Sequence, residues 1–404
     1  MYAPDASGKR PAATVFASFL HFDLCFTLWV LIGSLSIFIA KDLGLNAAQQ
    51  GLMVAIPTLS GSLVRVIVGV LSDRLSGKRV GVGMLIFLFV PLLLGWLLPV
   101  NFAGIIGLGL LLGVAGASFA VALPLASRWY PPERQGLVMG ITAAGNIGTV
   151  IANLSAPSLA KMYGWHNVMG MSMLPLVVVL LIFLLMARDS PAGPQAVPLK
   201  RYLAVLKRGN LWWFCLFYSV TFGGFVGLST FLPLFLKNQY AFNPVTAGLF
   251  TALAAFLGSS LRPLGGYLAD KFGGIIALTL LFIGIAGVYG GLSLLPGVPA
   301  VTWLLVIIMS LLGMGNGAVF QLVPQYFRRE IGVATGVVGA LGGLGGFFLP
   351  TLLGSVKQAS GSYAPGLLVL AIVALLALIV LRLLVAFRAG WRVAPGRVTE
   401  SKIA

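Results

Sequence analysis

Acidic side chains are scarce in this 404-residue chain: nine Asp and Glu stand against 26 Lys and Arg, and His and Cys are scarcer still, with two of each. So few His and Cys exclude a disulfide framework and a Cys/His metal centre. Cys25 and Cys215 both lie inside apolar runs and are expected to be free thiols packed as small hydrophobes. Charge of either sign is also thin, at 9% of residues; soluble domains carry about 25%, so a soluble globular protein is excluded. A haem-type His pair, a nucleotide-binding glycine loop and a loop long enough for a separate soluble domain are all missing. Neither enzyme chemistry nor a cofactor or metal is therefore expected. The first apolar run, about Thr14 to Ala40, is too long for a cleaved leader and has no A-x-A exit, so it is expected to remain as a spanning helix.

What is present is apolar: 59% hydrophobic residues and a mean hydropathy of +1.03. A helix needs about 20 such residues to cross a bilayer, and twelve runs qualify. The first six span about 14–40, 46–71, 79–98, 102–128, 135–161 and 167–187. The second six span about 211–237, 244–269, 275–295, 300–327, 332–357 and 363–387. The net charge of +17 would suit nucleic acid, but the basic residues sit in short loops between runs, where the positive-inside bias puts them. The expected partner is the lipid bilayer and no nucleic acid. With both termini inside, Lys41, Lys161, Lys237 and Lys357 fall outside and Arg65 and Arg262 within the membrane, leaving 20 of the 26 basic residues at the inner side. That asymmetry predicts cytoplasmic termini.

The chain repeats. GLMVAIPTLSGSLVRVIVGVLSDRLSGK (Gly51 to Lys78) returns as GLFTALAAFLGSSLRPLGGYLADKFGG (Gly248 to Gly274), with a constant offset of 197 that aligns Gly51 with Gly248, Arg65 with Arg262 and Asp73 with Asp270. The expected architecture is an all-α polytopic membrane protein of two six-helix halves, 1–187 and 211–404, joined by a cytoplasmic linker at 188–210 and ending in a short cytoplasmic tail. A parallel repeat of this kind is the build of an alternating-access transporter.

Arg65 and Arg262 sit inside apolar runs, where an arginine costs about 2.5–3.5 kcal/mol on insertion scales and marks a site. No acid lies in any run of the second half, and no lysine lies inside any run short of its end, where Lys161, Lys237 and Lys357 stand. Two guanidiniums facing one cavity make an anion site, and their planar forks suit a small flat oxyanion. The fifth and eleventh runs supply glycine-rich walls, GITAAGNIGTVIANLSAP (Gly140 to Pro157) and GVVGALGGLGGFFLP (Gly336 to Pro350), in which the offset aligns Gly145 with Gly342. Such spacing allows close helix packing, while the Asn146 amide needs a partner and can donate to an oxyanion.

Two resemblances follow. Gly69-Val-Leu-Ser-Asp73-Arg74-Leu-Ser-Gly77-Lys78-Arg79 resembles the helix 2–3 loop motif of the major facilitator superfamily, with a weaker partner at Gly266 to Lys271. Asp73, Arg74, Arg79 and Asp270 are expected to form charge pairs that latch neighbouring helices. GNIG and GGLGGFF resemble the two signature motifs of the nitrate/nitrite porter family (NarK/NasA type), which also carries one arginine on helix 2 and one on helix 8. The resemblance covers essentially the whole chain. It implies that Arg65 and Arg262 grip nitrate and that Asn146 reads its oxygens beside Gly145 and Gly342. It also implies that Phe22, Phe119, Tyr218 and Phe222 form an aromatic sandwich around the anion.

Asp23, in SFLHFDLCFTLWV, is the one acid well inside a run. At helical rise Asp23 and Arg65 lie about 14 and 9 Å from the inner face, near enough to be neighbours. Bound nitrate would offset the arginines and remove the carboxylate's stabilising partners, so a proton would bind better with nitrate present, and the converse by linkage. His21 faces elsewhere on the helix and is the weaker relay candidate, suited also to packing or a hydrogen bond. The expected function is nitrate:proton symport, with nitrite also carried, by a monomer in the cytoplasmic (inner) membrane. The alternatives are nitrate/nitrite antiport, nitrite export and, more remotely, a nitrate sensor on a transporter fold.

Overall fold

The computed structural model describes residues 9–130, 138–139, 141–191, 199–327, 331–388 and 391. Parts of the predicted fifth run, of the linker and of the tail lie outside these residues. Eleven helices are long and apolar enough to cross a membrane among the described residues: α1 (Pro11–Asp42), α2 (Ala47–Arg74), α3 (Gly77–Leu97), α4 (Phe102–Ser127), α6 (Trp165–Met186), α7 (Gly209–Tyr240), α8 (Pro244–Phe272), α9 (Gly274–Ser293), α10 (Val298–Tyr326), α11 (Val333–Ser360) and α12 (Ala364–Phe387). The fifth predicted run is described as a 3-10 turn, Ala144–Ile147, leading into α5, Gly148–Tyr163. A short helix, Leu199–Leu206, precedes α7.

Local chemistry sets several starts. Asn46 opens α2 in a capping box, its Oδ1 accepting from Gln49 N at 2.9 Å while its own N–H donates to Gln49 Oε1 at 3.0 Å. Asn101 caps α4 and Asn243, followed by Pro244, caps α8, each accepting from the backbone N–H three residues on at 2.8 and 2.9 Å.

Burial separates two helices from the rest. The most apolar windows of α1 and α7 are 83% and 89% buried, so this pair is central. Those of α3, α6, α8, α9, α10 and α12 are 28–44% buried, and their exposed leucines and valines turn toward lipid.

Glycine brings α2 to α11 and α5 to α8. A Cβ on Gly51 would strike Pro350 O and lie 3.0 Å from Gly354 Cα; one on Gly248 would lie 2.5 Å from Asn153 O and 2.7 Å from Pro157 Cγ. Pro350 and Gly354 follow Asn153 and Pro157 by 197 positions, the offset that also separates Gly51 from Gly248. The two crossings are thus the same contact made twice, with partners exchanged. Polar bonds close the end of the bundle that holds α2's start: Ala47 N donates to Gln358 Oε1 at 3.1 Å and Asn238 Nδ2 to Gln50 Oε1 at 2.8 Å.

Candidate anion site

The helices around the middle of the bundle are not regular there. α1 breaks at Val30, α4 tightens to a 3-10 turn over Gly113–Ser118, and α7 widens to a π turn over Ser219–Gly223. α8 breaks at Leu261 and α11 at Leu344. In α8 the cause is Pro263, which has no N–H to give the preceding turn. Such turns leave carbonyls outside the helical ladder, and π turns gather at functional sites.

Arg65, on α2, takes up one carbonyl of the α4 3-10 turn and one from α11. Its Nε and Nη2 donate to Gly116 O at 3.2 and 2.7 Å, and its Nη1 donates to Gly339 O on α11 at 2.6 Å. The residue is 2% exposed, and its guanidinium carbon lies 5.5 Å from the Phe119 ring and 5.8 Å from those of Phe222 and Trp29. Trp29 sets the spacing: its Nε1 donates to Pro57 O at 2.8 Å, and its ring is wedged against Gly61 and Gly116.

Arg262, on α8, is half-buried. Its Nη2 approaches Tyr218 Oη at 3.5 Å, and its guanidinium stands 5.6 Å from the Phe320 ring. Tyr218 and Phe222, one turn apart on α7, stack in parallel at 4.9 Å, so one reaches Arg262 and the other Arg65. On the other side a row of rings runs from Phe22 to Phe119 at 6.0 Å, to Phe320 at 6.4 Å and edge-on to Tyr218 at 4.7 Å. The two arginines and the four predicted aromatics thus share one centre. Among the described residues no carboxylate pairs with either guanidinium, so two positive charges stand against carbonyl dipoles and ring faces alone.

The glycine motifs act through packing. A methyl on Gly145 would lie 2.8 Å from Phe22 Cδ1 and 2.9 Å from Asp23 N; one on Gly148 would lie 2.8 Å from Thr27 N. GNIG therefore seats α5 on the turn of α1 that carries Phe22 and Asp23, with Asn146 5% exposed in the 3-10 turn. Gly342 makes room for Tyr218, whose Cγ and Cβ would lie 2.9 and 3.0 Å from an added methyl.

Asp23 and Arg65 are not joined. Arg65 is level with Trp29, six residues beyond Asp23 and so about 9 Å along α1. Asp23 is half-buried, and its Oδ1 has no hydrogen-bond partner among the described residues. His21 points away, with Nε2 3.3 Å from Gly81 O on α3 and its ring 4.7 Å from Phe183 on α6. There it packs on Phe183 and meets the Gly81 carbonyl.

The latch expectation meets different partners. Asp73 pairs with Arg128, just past α4, and Asp270 Oδ1 accepts from Gln321 Nε2 on α10 at 2.9 Å. Arg74 and Arg79 are exposed. Asp189, beyond α6, accepts from Ser76 Oγ at 2.5 Å and Lys78 N at 3.1 Å, capping α3. Breaking the Asp73–Arg128 pair, whose side chains are 17% and 24% exposed, is expected to cost about 1–2 kcal/mol, between exposed and buried pairs. Thermal unfolding of Asp73→Asn, Arg128→Gln and the double variant in detergent measures this. Additive losses would mean that the pair contributes nothing.

Phe320, Gly116 and Gly339 escaped the sequence reading. The repeat came within one turn of the first, because Phe119 maps at 197 onto Asn316. The carbonyl partners left no signal.

A bundle of membrane-length helices whose central cations face each other across aromatic rings defines a solute carrier. The profile of the Major Facilitator Superfamily matches residues 17–350. The chain is 38% identical over 354 residues to the nitrite extrusion protein of Bacillus subtilis, covering 87% of this chain and 88% of that one. It is 34% identical over 359 residues to the probable nitrate transporter NarT of Staphylococcus epidermidis, covering 88% and 91%. It is 33% identical over 385 residues to the probable nitrate/nitrite antiporter NarK1 of Thermus thermophilus, covering 86% and 85%. In fold it is similar to an inward-facing, occupied bacterial homologue of the human lysosomal transporter Spinster, with a TM-score of 0.75 at 19% identity over 96% of this chain and 99% of that one. The chain belongs to the major facilitator superfamily, and within it to the nitrate/nitrite porters.

Proposed function

We propose that the protein imports nitrate, and nitrite with it, by proton-coupled symport through alternating access. The observation that carries this reading is the pair of arginines, unneutralised by any described carboxylate, converging on one aromatic cage. A flat anion between the rings competes with Gly116 and Gly339 for the Arg65 donors, and it supplies the counter-charge that the carbonyls lack. Because Gly339 belongs to α11, this exchange of partners bears on the contact between α2 and α11. Nitrate entering alone would oppose the membrane potential by about 2.3 kcal/mol per 100 mV. At least one proton neutralises that cost, and two make use of the potential. Asp23, the half-buried acid of α1 whose Oδ1 has no hydrogen-bond partner among the described residues, is the proton carrier in this reading.

The same reading places twelve crossings in two six-helix halves, with α5 completing the set and both termini on the cytoplasmic side of the inner membrane, in a monomer. The names of the relatives favour a second reading, nitrate/nitrite exchange or nitrite export. Proteoliposomes separate the two. Symport predicts nitrate uptake driven by an inward pH gradient with no internal anion. Uptake that ignores the gradient and requires internal nitrite would establish exchange instead.

Gly342→Ala tests the cage. Its methyl would push on the Tyr218 ring, and overpacking of this kind costs about 1–3 kcal/mol. The expected result is nitrate binding weakened by about tenfold or more, read by isothermal titration. Unchanged binding would remove Tyr218 from the contact.

A further inference from the structure

A groove of about 380 Å³ opens on the membrane-facing side between α7 and α11. Its α7 wall carries Trp212, Leu216 and Ser219, and its α11 wall carries Leu341, Leu344 and Phe348. These positions recur at three- and four-residue steps, so each set forms one helix face. The rims are open to lipid, with Trp212 52% and Phe348 64% exposed. The Ser219 hydroxyl already donates to Leu341 O at 3.2 Å, which leaves the walls apolar in effect. The groove reaches the level where α7 enters its π turn at Ser219 and α11 breaks at Leu344.

The end at Trp212 has a distinct electrostatic setting. Trp212 Nε1 donates to Leu206 O at 2.9 Å, tying the start of α7 to the short helix before it. Lys200, Lys207 and Arg208 are exposed on that approach, and exposed Arg388, just past α12, donates to Asn210 Oδ1 at 3.4 Å. No Asp or Glu occurs between Asp189 and Asp270. An apolar slot leading from a rim that carries Lys200, Lys207, Arg208 and Arg388 matches an acyl chain beneath an anionic headgroup, and membrane-adjacent Lys and Arg attract such lipids.

We propose that the α7–α11 groove binds one acyl chain of an anionic phospholipid, whose phosphate is held by Lys207, Arg208 and Arg388. The back of the groove adjoins the cage: Ser219 follows Tyr218, and Leu341 precedes Gly342. A chain seated there holds α7 and α11 apart at the level of the aromatic rings. This site depends on the membrane setting and not on which anion the arginines carry.

The test is native mass spectrometry of the delipidated full-length protein, titrated with phosphatidylglycerol, phosphatidylcholine of the same chains, or glycerol 3-phosphate. One phosphatidylglycerol is expected to bind at least tenfold more tightly than phosphatidylcholine, and glycerol 3-phosphate is expected to give no adduct. Leu216→Trp and Leu344→Trp, which fill the slot, are each expected to weaken phosphatidylglycerol binding at least tenfold. Ile283→Trp, on the lipid face of α9, is expected to leave it unchanged. The triple change Lys207→Gln, Arg208→Gln, Arg388→Gln is expected to lower phosphatidylglycerol to the phosphatidylcholine level. Should the slot-filling variants fail to fold, Phe348→Ala removes one wall and is expected to give the same loss. Equal retention of both lipids by the wild type, or phosphatidylglycerol binding indifferent to the groove variants, would overturn the proposal.

Discussion

Arg65→Lys is expected to lower nitrate kcat/KM by roughly a hundredfold in proteoliposomes while the protein still folds and inserts. The wild-type guanidinium directs three N–H groups at two carbonyls, on α4 and α11, from a nearly dry position. Lysine keeps the charge but not the planar fork, so it cannot hold both carbonyls in this geometry or offer two parallel donors to a flat anion. Losing a charge-assisted hydrogen bond costs about 1.5–3 kcal/mol, and about 3 kcal/mol corresponds to a little over a hundredfold. Nitrate binding measured alongside uptake separates grip from motion, and both should fall. A lysine variant within about threefold of wild type would show that the site needs only a point charge, since threefold is well under 1 kcal/mol.

Asp23→Asn is expected to abolish gradient-driven accumulation while leaving nitrate counterflow. An uncoupled carrier lets nitrate reach electrochemical equilibrium, so a potential of 100 mV, inside negative, should hold internal nitrate about fiftyfold below external. The wild type should concentrate nitrate under the same gradient. The asparagine is close in shape, and Asp23 Oδ1 has no bond to lose among the described residues, so folding should survive. The measurement is radiolabelled nitrate in vesicles with an imposed pH gradient, set beside substrate-dependent proton flux. If Asp23→Asn still accumulates nitrate, the proton travels by another route and the coupling role is lost.

Much of this protein was legible in the linear chain because its main signals are local. A membrane run is read from about 20 consecutive residues, and a charge inside one stands out where it occurs. Arg65, Arg262 and Asp23 were found in that way, and the offset of 197 paired the arginines without any coordinates. Aromatic positions followed from the family's pattern, and the structure groups all four around the arginines.

The remainder depends on how helices bend and cross. Helical rise placed Asp23 and Arg65 at compatible depths, but rise gives neither azimuth nor tilt, and Arg65 stands beside Trp29 instead. Arg128 was assigned to the basic inner face, yet only the docking of α4 on the α2–α3 turn makes it the partner of Asp73.

The sequence by itself determined that this is a repeated membrane bundle with a cation inside an apolar run of each copy, because hydropathy and charge are properties of single residues. Tertiary structure alone decided what those cations hold. Every residue has a carbonyl, so nothing in the letters marks Gly116 or Gly339. They become ligands only where α4 tightens and α11 crosses α2, the latter 274 positions away along the chain.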